Sequence, residues 1–194
     1  MQRIAGLLLG LGWFLCGSPG ETTEWRLVPQ DSVISFVSVK NATIFEAHGF
    51  ARMSGKVDAQ GLAELLIELD SVSTGIDIRD TRMREMLFET KRYPVARFTA
   101  TVDPALLARP SAQRVPLDGI LSLHGIEARM SVDVKIEPLP AGRILVYTNG
   151  PVMVRMHGFG LMEGLERLRS VVGLQSIGSM VPVHAVLVFA PAAR

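Results

Sequence analysis

Apolar and polar residues alternate with a period of two along most of this chain after Glu21. Val33, Ser35, Val37 and Val39 alternate with Ile34, Phe36 and Ser38, and Leu65, Ile67 and Leu69 alternate with Glu64, Glu68 and Asp70. Val132, Val134 and Ile136 alternate with Asp133, Lys135 and Glu137, while Val181, Val183, Ala185, Leu187 and Phe189 share one face. A strand sends successive side chains to opposite faces, so this pattern describes half-buried strands with one apolar and one wet face. Glycine and proline stand between the runs, at Asp58-Ala59-Gln60-Gly61, His124-Gly125 and Pro138-Leu139-Pro140-Ala141-Gly142. Glycine supplies the positive φ that tight turns need, and proline ends pairing. The runs amount to about eight strands, the number that closes a small barrel. The expected fold is all-β: an antiparallel eight-stranded β-barrel with two short helices.

The helices come from two breaks in the alternation. From Ile78 to Glu89, Met83, Met86 and Leu87 fall at i, i+3 and i+4, Asp80 lies near the start and Pro94 forbids continuation. From Leu161 to Val172, Leu161, Leu165, Leu168 and Val172 form a stripe, and Glu163 faces Arg167. Arg79, Arg82, Arg84, Lys91, Arg92 and Arg97 cluster in the first region, interleaved with Asp80, Glu85 and Glu89. A solvated helix face accounts for such mixed charge. Adjacent Arg79 and Asp80 face different ways on a helix, so Asp80 reads as a helix-start residue and Arg79 as a donor to loop carbonyls. The other reading has Arg79 or Arg82 meeting a phosphate or carboxylate head at the barrel mouth.

The chain has 194 residues. It opens on Met1-Gln2-Arg3, an apolar run from Ile4 to Cys16, then Gly17-Ser18-Pro19-Gly20. A basic start, a short apolar core and small residues describe a secretory signal peptide, expected to be cleaved after Gly20. The run falls short of the roughly 20 residues of a membrane span. The division is therefore a signal peptide over 1–20 and one domain over 21–194, in a periplasmic or secreted protein that does not span a membrane after cleavage. The single cysteine, Cys16, leaves with the leader, so the mature chain has no thiol for disulfide, nucleophile or metal. Net charge is +1, which carries no electrostatic footprint for nucleic acid.

Several blocks, in order, resemble the YceI-like family. They are Trp25 with Ser32-Val33-Ile34-Ser35-Phe36; His48-Gly49-Phe50 with Gly55; and Asp70 to Gly75 leading into Ile78-Arg79-Asp80-Thr81-Arg82-Met83. Leu87-Phe88, Tyr93-Pro94 and Phe98 follow, then the Gly119 to Gly125 hairpin, then Arg155, Phe159 and Gly160. Two positions depart: Ile126-Glu127-Ala128 stands where the family has Val-Thr-Lys, and Gly158 where it has an acidic residue. Both remove polar groups near loops, which points to altered head-group recognition. The resemblance implies a lipocalin-like barrel, exported, that holds a polyisoprenoid or similar long-chain amphiphile for sequestration or transport.

Under that implication the apolar lumen consists of Ile34, Phe36 and Phe50; Leu65, Ile67 and Leu69; Phe98, Leu121 and Leu123; and Val134, Val183 and Leu187. Met83 and Met86 join them, methionine being flexible enough to follow an irregular tail. Arg79 and Arg82 are the candidate head-group contacts. A side-chain-filled core would produce the same alternation, so a barrel that is merely a secreted interaction scaffold remains open on the residues alone. A hydrolase is the remaining alternative, but no Gly-x-Ser-x-Gly elbow, phosphate loop, dinucleotide fingerprint or zinc motif occurs. His48, His124, His157 and His184 lack metal spacing and read as lone, satisfied histidines, with His48 and His124 at strand ends or turns because each precedes a glycine. No catalytic residue, cofactor or metal is expected. The oligomeric state, a homodimer included, is left open.

Overall fold

The computed structural model describes residues 24–108 and 111–192. The expected leader and its cleavage point at Gly20 lie outside the described residues. The strands are β1 (Trp25–Leu27), β2 (Val33–Lys40), β3 (Ile44–Phe50), β4 (Met53–Val57), β5 (Leu62–Glu68), β6 (Val72–Ser73), β7 (Val95–Thr101), β8 (Gln113–Leu123), β9 (Ile126–Pro138), β10 (Ile144–Thr148), β11 (Val152–Arg155) and β12 (Met180–Pro191). They pair in the cyclic order β1-β4-β5-β7-β8-β9-β10-β12, and β12 returns to β1. Every named pairing is antiparallel, so the result is the expected closed eight-stranded barrel.

The remaining strands continue these staves past local breaks. β2 extends β1 beyond a turn at Pro29–Asp31, and β3 and β4 are halves of one stave broken at Ala51 and Arg52. β6 continues β5 past a turn at Leu69–Ser71. The two central breaks face each other and are tied together: Ala51 N donates to Ser71 O at 2.9 Å, and Arg52 N donates to Ser71 Oγ at 2.9 Å. β11 continues β10 after Asn149 to Pro151 but pairs only with β12, so it parts from β9. The turns have the chemistry expected of them. His124 (φ 53°) and Gly125 (φ 77°) make a two-residue hairpin turn between Leu123 and Ile126, the left-handed geometry that matches strand twist. At Gly61 (φ 87°) the Asp58 carboxylate accepts from Gln60 N and Leu62 N at 3.0 and 2.8 Å.

Helices close both ends. α1 (Asp77–Arg82) runs directly into a π-helical turn, Met83–Leu87, closed by Phe88 N donating to Met83 O at 2.9 Å. The expected single helix from Ile78 to Glu89 is thus shorter and changes pitch. The π turn lets both Leu87 and Phe88 point inward, at 5% and 7% exposure, where a regular α-helix separates successive residues by about 100°. α2 (Pro104–Ala108) adds a third helix to the two expected, with Asp103 Oδ1 accepting from Ala105 N at 2.9 Å. α3 (Met162–Val171) matches the Leu161 to Val172 stripe within one residue at each end.

The interior is layered. At the α2 end Trp25, Leu27, Ile34, Val57, Leu107, Val134, Ile136, Ile144, Leu187 and Phe189 pack as a dense core, with Leu65 and Phe98 against them. At the other end Phe36, Leu69, Met83, Leu87, Phe88, Leu123, Met156, Phe159, Leu161, Leu165 and Leu168 form a second cluster beneath the π turn and α3. Phe50, Ile67 and Val183 touch both.

Candidate binding cavity

A cavity of about 420 Å³ lies inside the second cluster. This volume falls within the roughly 300–1,000 Å³ of ordinary ligand pockets. Its floor and walls are Phe36, Phe50, Ile67, Leu69, Ala96, Leu121, Leu123, Val154, Val181 and Val183 from the strands. Its roof is Met83, Leu87 and Phe88 from the π turn and Leu165 and Leu168 from α3. Ile76, Ile78 and Val172 also line it and are 48%, 56% and 46% exposed, which puts the opening between the start of α1 and the end of α3. The roof is held down by Arg167, which donates to Met86 O at 2.9 Å while pairing with Glu89 and Glu163 at 2.8 and 2.9 Å.

The lumen residues expected from the sequence divide into two groups. Phe36, Phe50, Ile67, Leu69, Met83, Leu121, Leu123 and Val183 line the cavity. Ile34, Leu65, Phe98, Val134 and Leu187 face inward but belong to the dense core at the α2 end, and the cavity stops short of them. Met86 packs beside the second cluster without lining the hollow. The interior is therefore a half-filled barrel, not a tube hollow from end to end. Arg79 and Arg82 both line the cavity.

Polar groups gather on one side, contributed by β2, β3 and α1: Ser38, Lys40, Glu46, His48, Arg79 and Arg82. The first four extend an inward face that is apolar at Ile34 and Phe36 and turns polar toward the hairpin tip, a switch visible in the alternation but not singled out from sequence. Glu46 accepts from Lys40 at 2.5 Å and from Arg79 Nη1 at 2.6 Å. Arg79 also donates to Thr74 O at 2.7 Å and Thr74 Oγ1 at 2.8 Å. Asp80 Oδ1 accepts from Thr74 N at 2.9 Å and from its hydroxyl at 2.5 Å. The Arg79-Asp80 dipeptide thus grips the strand-to-helix turn, as the helix-start reading expects, and Arg79 gains a distant partner in Glu46.

His48 stands near the end of β3, as expected of a strand-end or turn histidine, but its hydrogen bonds are not all satisfied. Its Nε2 is 2.9 Å from Ser38 Oγ, and its Nδ1 is buried with no partner among the described residues. Burial, reinforced by the Arg79 charge, holds its pKa below the ordinary 6.5. The unfolded chain therefore takes up a proton that the folded protein resists. The stability this group contributes is complete above pH 6.5 and declines as the pH drops below it. The Lys40 hydrogen bond, aided by Arg79, holds the Glu46 carboxyl below its ordinary 4.5, so its contribution is lost only in stronger acid. The urea midpoint is expected to fall between about pH 7 and about pH 5, and His48→Gln to flatten that slope. An unchanged slope in the variant would assign the effect to another group.

A second, larger hollow of about 760 Å³ lies where β9 and β11 part. Arg114, Arg129, Ser131, Asp133, Asn149 and Arg155 make much of its lining polar, which suits water better than an apolar chain. Among the described residues no three His, Cys, Asp or Glu side chains gather as a metal site, and no helix is long and apolar enough to cross a membrane.

The sequence profile of the YceI-like domain matches residues 25–189. The chain belongs to the YceI-like family. A polyisoprenoid-binding domain from Saccharophagus degradans, implicated in plant cell wall breakdown, is 36% identical, with a TM-score of 0.84 over 87% of this chain and 98% of that one. BcnA of Burkholderia cenocepacia has the same fold at 19% identity, with a TM-score of 0.66 over 84% of this chain and 98% of its own. The Campylobacter jejuni YCEI protein does so at 17% identity and a TM-score of 0.53, over 76% and 85% of the two chains. No curated protein matches this chain. The two departures from the YceI-like pattern do not touch the cavity. Ile126, Glu127, Ala128 and Gly158 are absent from its wall, and Ala128 and Gly158 border the polar hollow instead. The expectation that they alter head-group recognition therefore has no contact to act through.

Proposed function

We propose that this protein is an exported carrier that holds a long-chain amphiphile, an isoprenoid in the first instance, and performs no chemistry on it. The observation that carries this reading is an apolar cavity of about 420 Å³ with polar groups on one side only. Burying a hydrocarbon tail yields about 25 cal/mol per Å² removed from water, so binding needs few polar contacts. The 36% identical relative is a polyisoprenoid-binding domain, which supports the same ligand class here. The basic start and short apolar run expected to form a leader over 1–20 support export, and a closed barrel that hides its edges suits a carrier crossing an aqueous compartment.

Native mass spectrometry of the protein purified from its periplasm or medium tests the reading. The expected result is a chain starting at Glu21 with a co-purified lipid. Leu121→Trp, which projects an indole into the hollow from β8, is expected to reduce bound lipid at least about tenfold while the barrel still melts cooperatively. A wild-type protein that stays empty when loaded with isoprenoids of several lengths would leave a scaffold and no carrier.

A further inference from the structure

The cavity wall carries an imbalance of charge. Lys40, Arg79 and Arg82 line it against the one carboxylate of Glu46. That carboxylate is already shared, by Lys40 at 2.5 Å and Arg79 at 2.6 Å. Arg79 is further tied to Thr74 through two donors. The nearby acid Asp80 is occupied by the Thr74 amide and hydroxyl. Asp77 and Glu85 are exposed, Glu89 is paired with Arg167 at 2.8 Å, and none of the three lines the hollow. The Arg82 side chain has no ion pair or hydrogen bond among the described residues, although it is half-buried and lies on the cavity wall. It stands three residues after Arg79, so both project from one face of α1.

A guanidinium beside an apolar wall has lost part of its water without gaining a counter-charge. Its planar fork fits a phosphate or carboxylate through two parallel hydrogen bonds. We infer that the ligand is an anionic amphiphile, an isoprenyl or acyl chain ending in a phosphate or carboxylate, whose head is bound by Arg82 with the spare donors of Lys40. Arg79 is a positioning residue: its bonds to Glu46 and Thr74 fix the helix that presents Arg82. This inference rests on the cavity holding a lipid tail and adds the charge of the head.

The test uses delipidated full-length mature protein and calorimetric titration with geranylgeranyl phosphate, geranylgeraniol, palmitate and hexadecanol. At least one anion is expected to bind about tenfold or more tightly than the alcohol of the same chain, and the ranking of phosphate against palmitate identifies the head. Arg82→Ala is expected to erase most of that ratio and Arg82→Lys to retain part of it. Lys91→Ala, an exposed charge away from the cavity, leaves the ratio unchanged. Equal binding of anions and alcohols overturns the proposal and leaves the carrier standing. A preference that survives in Arg82→Ala overturns the assignment to Arg82. If none of the four binds, the carrier reading fails and this inference fails with it.

Discussion

Gly119→Val is expected to destabilise the barrel by about 3 kcal/mol, lowering Tm by about 6–12 °C. Strand propensity alone argues the opposite, since valine suits a strand by up to about 1 kcal/mol and glycine weakens one. Sterics decide the sign. Gly119 lies within β8, between β7 and β9, opposite Ala100 and Met130. A Cβ there would stand 2.5 Å from Phe98 Cζ and 2.5 Å from Thr99 O. The Phe98 ring could turn aside, but Thr99 O belongs to a backbone fixed in the ladder, opposite Ile120. Phe98 also packs on the dense core, so displacing it disturbs the layer that bounds the cavity from below. Thermal unfolding followed by circular dichroism measures the shift. A Tm within about 2 °C of the parent would show that the close approach can relax.

Gly164→Leu is expected to cost about 2–3 kcal/mol and to weaken lipid retention in the same variant. In an ordinary helix interior a substituted glycine gains up to about 1 kcal/mol in propensity. Here α3 crosses the π turn at its closest point. A Cβ on Gly164 would meet Met86 O at 2.4 Å and Leu87 Cα at 2.9 Å. Neither is a flexible side chain, so α3 must lift. Lifting it withdraws Leu165 and Leu168 from the cavity roof and strains the Arg167 contact with Met86 O. The prediction therefore couples two readouts, a lower urea midpoint and faster release of a bound fluorescent fatty acid. A destabilised variant with unchanged release would separate roof geometry from ligand retention.

The period-two pattern and the turn residues make the strands legible in the sequence. Alternation specifies an inward face, and glycine or proline at Gly61, Gly125 and Pro138 specifies where the chain reverses. The leucine stripe after Leu161 likewise specified α3 almost to its ends. The hairpin at Asn41-Ala42 was less visible. Both residues take positive φ, 49° and 63°, without glycine, and Asn41 is held by accepting from Gln175 N at 2.9 Å, a partner far away in sequence. The π turn was also hidden, because Met83, Met86 and Leu87 fit an α-helical stripe equally well and the turn's inward-facing Leu87-Phe88 pair reflects what lies beneath it.

The sequence by itself determined which side chains point into the barrel, because that depends on a two-residue backbone repeat that each strand carries alone. Only the tertiary structure decided which of them meet a partner and which face empty space. Ile34 and Phe36 stand two apart on one face of β2, yet Ile34 is locked in the dense core and Phe36 borders the cavity. The difference lies across the lumen, in whether residues from other staves reach the centre at that height. The same holds for Arg79 and Arg82: one meets Glu46, 33 residues away, and the side chain of the other has no ion pair or hydrogen bond among the described residues. Occupancy and charge pairing inside a barrel are sums over strands distant in the chain, and no local pattern records them.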